Sequence, residues 1–238
     1  MRWCKELEQL TEWWQTPVGN LLLQAELTQL EKYLEQLFGY KLLLLAPSAF
    51  ETLSTHSRMG QVLRIDPMHC AGHCAGHCDG HCDGAQIMPN ALPTNIDAII
   101  IPHLLSYLTD AADCIKHCWQ SLDAHGQLII TGYRRCSYLG WSRLCHSRLR
   151  QQVPNAKNSK AKIMDLLQEN SFLITKQEIF APMSLNTEKV GLTLLANNYV
   201  IAARKELVLS KITEPLEWQK KRKISSRMVP SGCQRERN

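Results

Sequence analysis

Apolar residues along this chain follow two rhythms. From residue 5 to residue 38 they recur every three or four positions, as Leu7, Leu10 and Trp13 or Trp14, then Leu23, Leu30 and Leu37, which is the spacing of an amphipathic helix. The pattern predicts a short helix over 5–14 that ends before Pro17, then a second helix from Pro17 to about Phe38. Pro17 suits a first helical turn, where its missing N–H would be unpaired anyway, and Gly39 is expected to stop the helix. Beyond Gly39 the apolar residues come in short runs. Tyr40 to Leu45 reads as a first strand, Val62 to Ile65 as a second, and Ala85 to Met88 as a weak third.

The segment from Leu92 to Tyr133 carries the clearest signal. Ile96, Ala98, Ile99, Ile100 and Ile101 form a run rich in β-branched residues, short enough to be a strand buried on both faces. Residues 103–108 and 111–122 are patterned as helix, Gly126 is expected to close the second of these, and Leu128, Ile129, Ile130 and Thr131 make another buried strand. Two parallel strands joined through helices are a βαβ unit. Residues 142–160, basic and polar with one proline, read as a mobile connection. Ile163 to Leu167 reads as a late helix, and Phe172 to Ile179 with Leu192 to Ala202 as an antiparallel pair. The expected fold class is α/β, a Rossmann-like doubly wound seven-stranded sheet, mostly parallel with one antiparallel strand and helices on both faces.

With 238 residues the chain is long enough to bury a full core in one domain. Residues 1–212 are assigned to that domain, with N-terminal helices over 1–38 and a repeat loop over 67–86, and residues 213–238 to a basic tail expected to be disordered. The N-terminus lacks a basic start followed by an apolar stretch and a small-residue cleavage site, and no apolar segment approaches bilayer length. A cytoplasmic location, no membrane association and reduced thiols among the 10 cysteines are therefore expected. The 6 tryptophans are dispersed in sequence, so they are expected in the core or between helices rather than in an aromatic cage.

Several segments resemble one family. Leu92-Pro93 before Asp97 and its apolar run, then Leu128 after Gly126, resemble the fourth and fifth strands of class I S-adenosylmethionine-dependent methyltransferases. Within that superfamily the chain is most similar to a small group of uncharacterised bacterial methyltransferase-domain proteins. The matching residues are Pro102-His103-Leu104 after the fourth strand, Gly132-Tyr133 with Ser137, Leu139 and Gly140 after the fifth, and Trp14-Gln15-Thr16-Pro17-Val18-Gly19 near the start.

The resemblance implies S-adenosylmethionine as cofactor, bound where ligands sit in doubly wound sheets, at the carboxyl ends of strands beside the reversal of strand order. It places Ala46 at the first turn, Asp66 after the second strand to hold the ribose hydroxyls, and Met88, Asn90 and Leu92 in the loop near the adenine. The family usually has glycines at the first turn; this chain reads Leu44-Leu45-Ala46-Pro47-Ser48-Ala49. A Cβ at Ala46 and the fixed φ of Pro47 restrict that turn. On the acceptor side the resemblance implies catalytic roles for His103 and Tyr133. Where related sequences tend to carry glutamate, this chain has Ser106, which removes a carboxylate from that position. Three functions stay open: a methyltransferase acting on an unidentified small-molecule or macromolecular acceptor, a catalytically degenerate binding protein on the same fold, and a metal-binding protein.

The third reading comes from a tandem repeat in which His69-Cys70, His73-Cys74, His77-Cys78 and His81-Cys82 recur every four residues, each pair followed by Ala or Asp and Gly. Thiolates and imidazoles at this density suit zinc. Glycine at every fourth position opposes a helix, and the same segment also reads as an expanded low-complexity loop. Charge is concentrated at the other end of the chain. Residues 218–238 hold seven Lys or Arg against one Glu, so the net +5 of the whole chain leaves residues 1–217 near −1. The run Lys220-Lys221-Arg222-Lys223 suits nonspecific contact with nucleic acid, and a solubilising tail is the other reading. For the repeat, replacing residues 69–84 with a short Gly/Ser linker is expected to leave far-UV circular dichroism and cooperative unfolding intact, because loop length enters stability only logarithmically. A stoichiometric zinc whose removal unfolds the protein would overturn the loop reading.

Overall fold

The structure, a computed structural model, describes residues 2–67, 92–134, 156–180 and 198–206, all within a compact unit spanning Met1–Leu207. The repeat of residues 69–84 and the basic tail lie outside the described residues. Two helices open the chain, α1 (Arg2–Trp14) and α2 (Pro17–Leu34). The corner between them is specified locally: Thr16 caps α2 by accepting from the Gly19 amide at 3.1 Å, its hydroxyl donates to the Trp13 carbonyl at 2.7 Å, and Pro17 occupies the first turn. Gly19 lies so close to the Trp13 carbonyl that a Cβ there would overlap it. The helix ends at Leu34, five residues before Gly39, rather than at Phe38 as its pattern predicts.

Next come β1 (Lys41–Leu45), a 3-10 turn at Ser48–Phe50, α3 (Thr52–Thr55) and β2 (Gln61–Ile65). The βαβ unit follows as β3 (Ile96–Pro102), α4 (Leu104–Tyr107), α5 (Ala111–Ser121) and β4 (Leu122–Tyr133). The chain ends its described course with α6 (Lys160–Glu169), β5 (Phe172–Phe180) and β6 (Asn198–Lys205). Gly126 does not close a helix. It lies inside β4, in a bulged stretch where the pairing with β3 jumps from Ile96↔Leu122 to Ala98↔Gln127.

The sheet order is β2-β1-β3-β4-β6-β5. The first four strands are parallel, and β6 runs antiparallel to both β4 and β5. Six strands are therefore described rather than the seven expected, the weak strand at Ala85–Met88 lying outside the described residues. Strand order reverses between β1 and β3. The central strands are apolar without alternation because both of their faces are covered: Leu42–Leu45, Ile99–Ile101, Leu128–Ile130 and Val200–Ala203 are all buried. Each such aliphatic side chain contributes about 1.5–3 kcal/mol on burial.

The polar connection over 142–160 is anchored at its described end. Lys157 and Asn158 donate their backbone amides to the Ser106 carbonyl, and the Asn158 side chain donates to the carbonyls of Leu105 and Leu108, satisfying acceptors at the end of α4. Cys114 and Cys118 are buried free thiols on α5, and Trp13 and Trp14 lie in the core as expected. No helix among the described residues is long and apolar enough to cross a membrane.

The corner between α1 and α2 generates a test. Gly19→Ala is expected to cost about 1–3 kcal/mol, as overpacking against a fixed neighbour does, read as a lower urea midpoint at unchanged slope. A neutral effect would show that the corner opens without loss.

Candidate functional site

The carboxyl ends of the parallel strands meet beneath α2. Parallel pairing places Pro102 opposite Thr131, so His103, the next residue, emerges at this edge beside the end of β4. Its φ of 57° is left-handed, uncommon for a residue with a Cβ. The turn is held by the His103 amide donating to the Thr131 carbonyl at 3.0 Å and by the Ser106 amide donating to the His103 carbonyl at 2.9 Å.

A buried carboxylate organises the edge. Glu26 sits on the apolar face of α2 with Leu23, Leu27 and Leu30, and it is fully buried, as is His103. Its Oε2 accepts from His103 Nε2 at 2.7 Å and from Asn198 Nδ2 at 3.0 Å, while its Oε1 accepts from the Thr131 hydroxyl. These donors come from the turn after β3, the end of β4 and the start of β6. A carboxylate taken out of water is costly unless paired and hydrogen-bonded, and this one is held by three donors.

Aromatic rings enclose the imidazole of His103. Tyr133 lies with its ring centroid 4.2 Å away, Trp14 at 5.4 Å and Phe50 at 6.1 Å. The Trp14 indole donates to the Tyr133 hydroxyl at 2.8 Å, and Trp13 meets the Tyr133 ring edge-on. Burial pushes the Tyr133 phenol well above its ordinary range, with the Glu26 charge adding to the effect and the Trp14 hydrogen bond opposing it. Tyr199 is pushed up to about 12, chiefly by burial and further by Glu26, against a hydrogen bond with Ser106. Gly132 makes room for this packing: a Cβ there would sit 2.5 Å from the Tyr199 hydroxyl and 2.7 Å from Ser106 Oγ.

The residues singled out in the sequence fall into groups. His103 and Tyr133 are in direct ring contact. Ala46 and Asp66 follow directly on the paired residues Leu45 and Ile65, so they stand side by side at the same edge, next to the reversal of strand order. Ala46 is buried, and its amide donates to the Ile65 carbonyl at 3.1 Å. The Asp66 side chain is 11% exposed and lies 3.8 Å from the Arg64 guanidinium. Phe50 links the two groups, since it lies just beyond the Ala46 turn yet packs on Trp14 and His103. Leu92 is buried on the approach to the amino end of β3. Met88, Asn90 and the eight repeat ligands His69, Cys70, His73, Cys74, His77, Cys78, His81 and Cys82 lie outside the described residues. Among the described residues no cluster of His, Cys, Asp or Glu could hold a metal.

Sequence reasoning missed Glu26, Thr131 and Asn198. The substitution of Ser106 for an acid does not leave the edge without a carboxylate, because Glu26 brings one from the N-terminal helix. The available signal was an acid within the apolar stripe of α2. A groove of about 550 Å³ along α2, lined by Leu21, Gln24, Thr28, Gln29, Lys32 and Phe180 among others, includes none of the residues singled out in the sequence.

No family model matches the chain, and no curated protein is significantly similar to it in sequence. Solved structures do match. An S-adenosylmethionine-dependent methyltransferase from Archaeoglobus fulgidus superposes with a TM-score of 0.53 at 14% identity, covering 77% of this chain and 94% of its own. Another, from Thermotoga maritima, superposes with a TM-score of 0.53 at 16% identity, covering 85% of this chain and 98% of its own. The fold is thus that of the class I S-adenosylmethionine-dependent methyltransferases. The donor set fits the cofactor at its ribose end, where the Asp66 carboxylate stands beside the first turn at the switch point. The turn itself offers no glycine, and its Ala46 amide is already committed to Ile65.

The buried phenols make stability depend on alkaline pH. Tyr133 and Tyr199 hold their protons in the folded state above the ordinary value of 10.0, whereas in the unfolded chain they lose them near it. Above pH 10 the unfolded state binds fewer protons, so stability falls as pH rises. The decline is about 1.4 kcal/mol per pH step for each phenol and ends as its folded-state value is passed. Chemical unfolding at pH 9 to 12 measures the slope, and Tyr199→Phe is expected to reduce it. A slope unchanged in that variant would remove Tyr199 from the account.

Proposed function

We propose that this chain is an S-adenosylmethionine-dependent methyltransferase with an unidentified acceptor. The reading is carried by one arrangement: Ala46 and Asp66 at the switch point, and His103 and Tyr133 beyond the next two strands, all at the same edge of the sheet. Ligands of doubly wound sheets bind at that edge, and the likeness in fold to known methyltransferases supports the same placement. When bound, the cofactor supplies a methyl group on a sulfonium, an electrophile that calls for alignment with the acceptor more than for a dedicated catalytic dyad. Asp66 accepts from the ribose hydroxyls, and the Ala46 turn forms the wall beside it. His103 and Tyr133 face the acceptor, and the rings of Trp13, Trp14 and Phe50 keep water from them.

Calorimetric titration of S-adenosylmethionine and S-adenosylhomocysteine into the purified full chain tests this. The restricted first turn predicts dissociation constants in the micromolar-to-millimolar range, about −8 to −4 kcal/mol. Asp66→Ala is expected to weaken binding by about 1–3 kcal/mol, the worth of hydrogen bonds to a charged group. No heat at millimolar ligand would overturn the enzyme reading, and tight binding indifferent to Asp66→Ala would move the pocket elsewhere.

A further inference from the structure

We propose that Glu26 and His103 form a proton-accepting dyad for an aromatic hydroxyl on the acceptor, with Glu26 as the positioning residue, a reading that rests on the methyltransferase function above. A carboxylate can only accept, so His103 Nε2, 2.7 Å from Glu26, carries its proton towards it. Thr131 and Asn198 hold the same carboxylate from other directions, which fixes both its place and the tautomer it imposes. The basic atom left on the ring is Nδ1, and it is buried with no hydrogen-bond partner among the described residues.

Asn198 Oδ1, in the same cluster, is likewise buried without a partner. Both atoms are acceptors. Buried polar atoms are almost always satisfied, so the cluster calls for a donor from outside the described residues, and a hydroxyl supplies one. Chemistry narrows the choice further. A neutral oxygen is a weak nucleophile until a base shares its proton, whereas a thiolate or a carbanion has no need of Nδ1. The flanking rings of Trp14, Phe50 and Tyr133 suit a flat apolar body behind that hydroxyl.

His103 is fully buried, and entry of such a ring displaces Trp14 or Phe50. These two sit at the end of α1 and in the 3-10 turn rather than on the sheet. The step assigned to the dyad is a proton transfer. The acceptor O–H bond breaks, an N–H bond forms at Nδ1, and the electron pair stays on oxygen. The positive charge gained by the imidazole is balanced by Glu26.

Nitrogen-15 NMR of the full chain labelled at histidine tests this, with the His103 ring assigned by through-bond correlation to its backbone. The expected spectrum has the proton on Nε2 and a bare Nδ1. Phenol is expected to shift the Nδ1 resonance saturably, while anisole, which has the same ring without the O–H, leaves it in place. Glu26→Gln, whose amide can donate as well as accept, is expected to lose the single tautomer and to weaken the phenol response at least tenfold. If that variant does not fold, the comparison of phenol with anisole on the unaltered protein decides. A proton on Nδ1, a response to neither probe, or equal responses to both would overturn the dyad. Titration with S-adenosylhomocysteine separates the two readings. Binding without a phenol response removes the dyad and leaves the methyltransferase, whereas a phenol response without cofactor binding removes the methyltransferase and leaves a hydroxyl-accepting site.

Discussion

The Glu26 carboxylate is the point on which the described edge of the sheet depends. It joins α2 to the turn after β3, to the end of β4 and to the start of β6. Burying it without those donors would be prohibitive, and removing one partner of such a buried pair typically costs about 3–5 kcal/mol. An apolar side chain in its place would pack without that risk but would leave His103, Thr131 and Asn198 each short of a partner. The network therefore selects one placement of α2 over the strands, where purely apolar packing would tolerate several.

The neighbouring aromatic cluster follows from that placement. Trp13 and Trp14 arrive on the corner capped by Thr16, and the fixed helix directs them at Tyr133 and His103. Phe50 comes from the opposite side, on the turn that follows β1. The two halves of the candidate site, the switch point at Ala46 and Asp66 and the imidazole at His103, are thus mechanically joined through Phe50. A ligand that moved the Ala46 turn would press on the rings around His103, so the first turn and the acceptor side do not act independently.

This coupling bears on the glycine-free first turn. A glycine at Ala46 would let backbone approach a ligand closely, but it would also loosen the turn that delivers Phe50. Ala46 and Pro47 exchange freedom at the cofactor edge for a fixed wall at the acceptor edge. A weak cofactor site beside a well-packed acceptor side is the physical outcome of that exchange.

How much was legible in the sequence varies with the range of the interaction. The apolar runs at Leu42–Leu45, Ile96–Ile101 and Leu128–Thr131, the Thr16-Pro17 corner and the antiparallel strand at the end declare themselves because hydrophobic periodicity and capping are local. The positions of His103, Tyr133, Ala46 and Asp66 at one edge follow from strand order, which the βαβ pattern implies. Boundaries were less legible: Leu34 ends α2 although the apolar pattern runs on, and Gly126 joins a bulged strand because pairing with β3 outweighs its helix-stopping tendency. Glu26 was beyond reach. In sequence it is an acid on an apolar stripe, 77 residues from His103 and 172 from Asn198, and nothing local distinguishes it from a solvated side chain. Only the tertiary structure decides that it is buried, because only packing α2 across the strand ends brings three distant donors to one carboxylate.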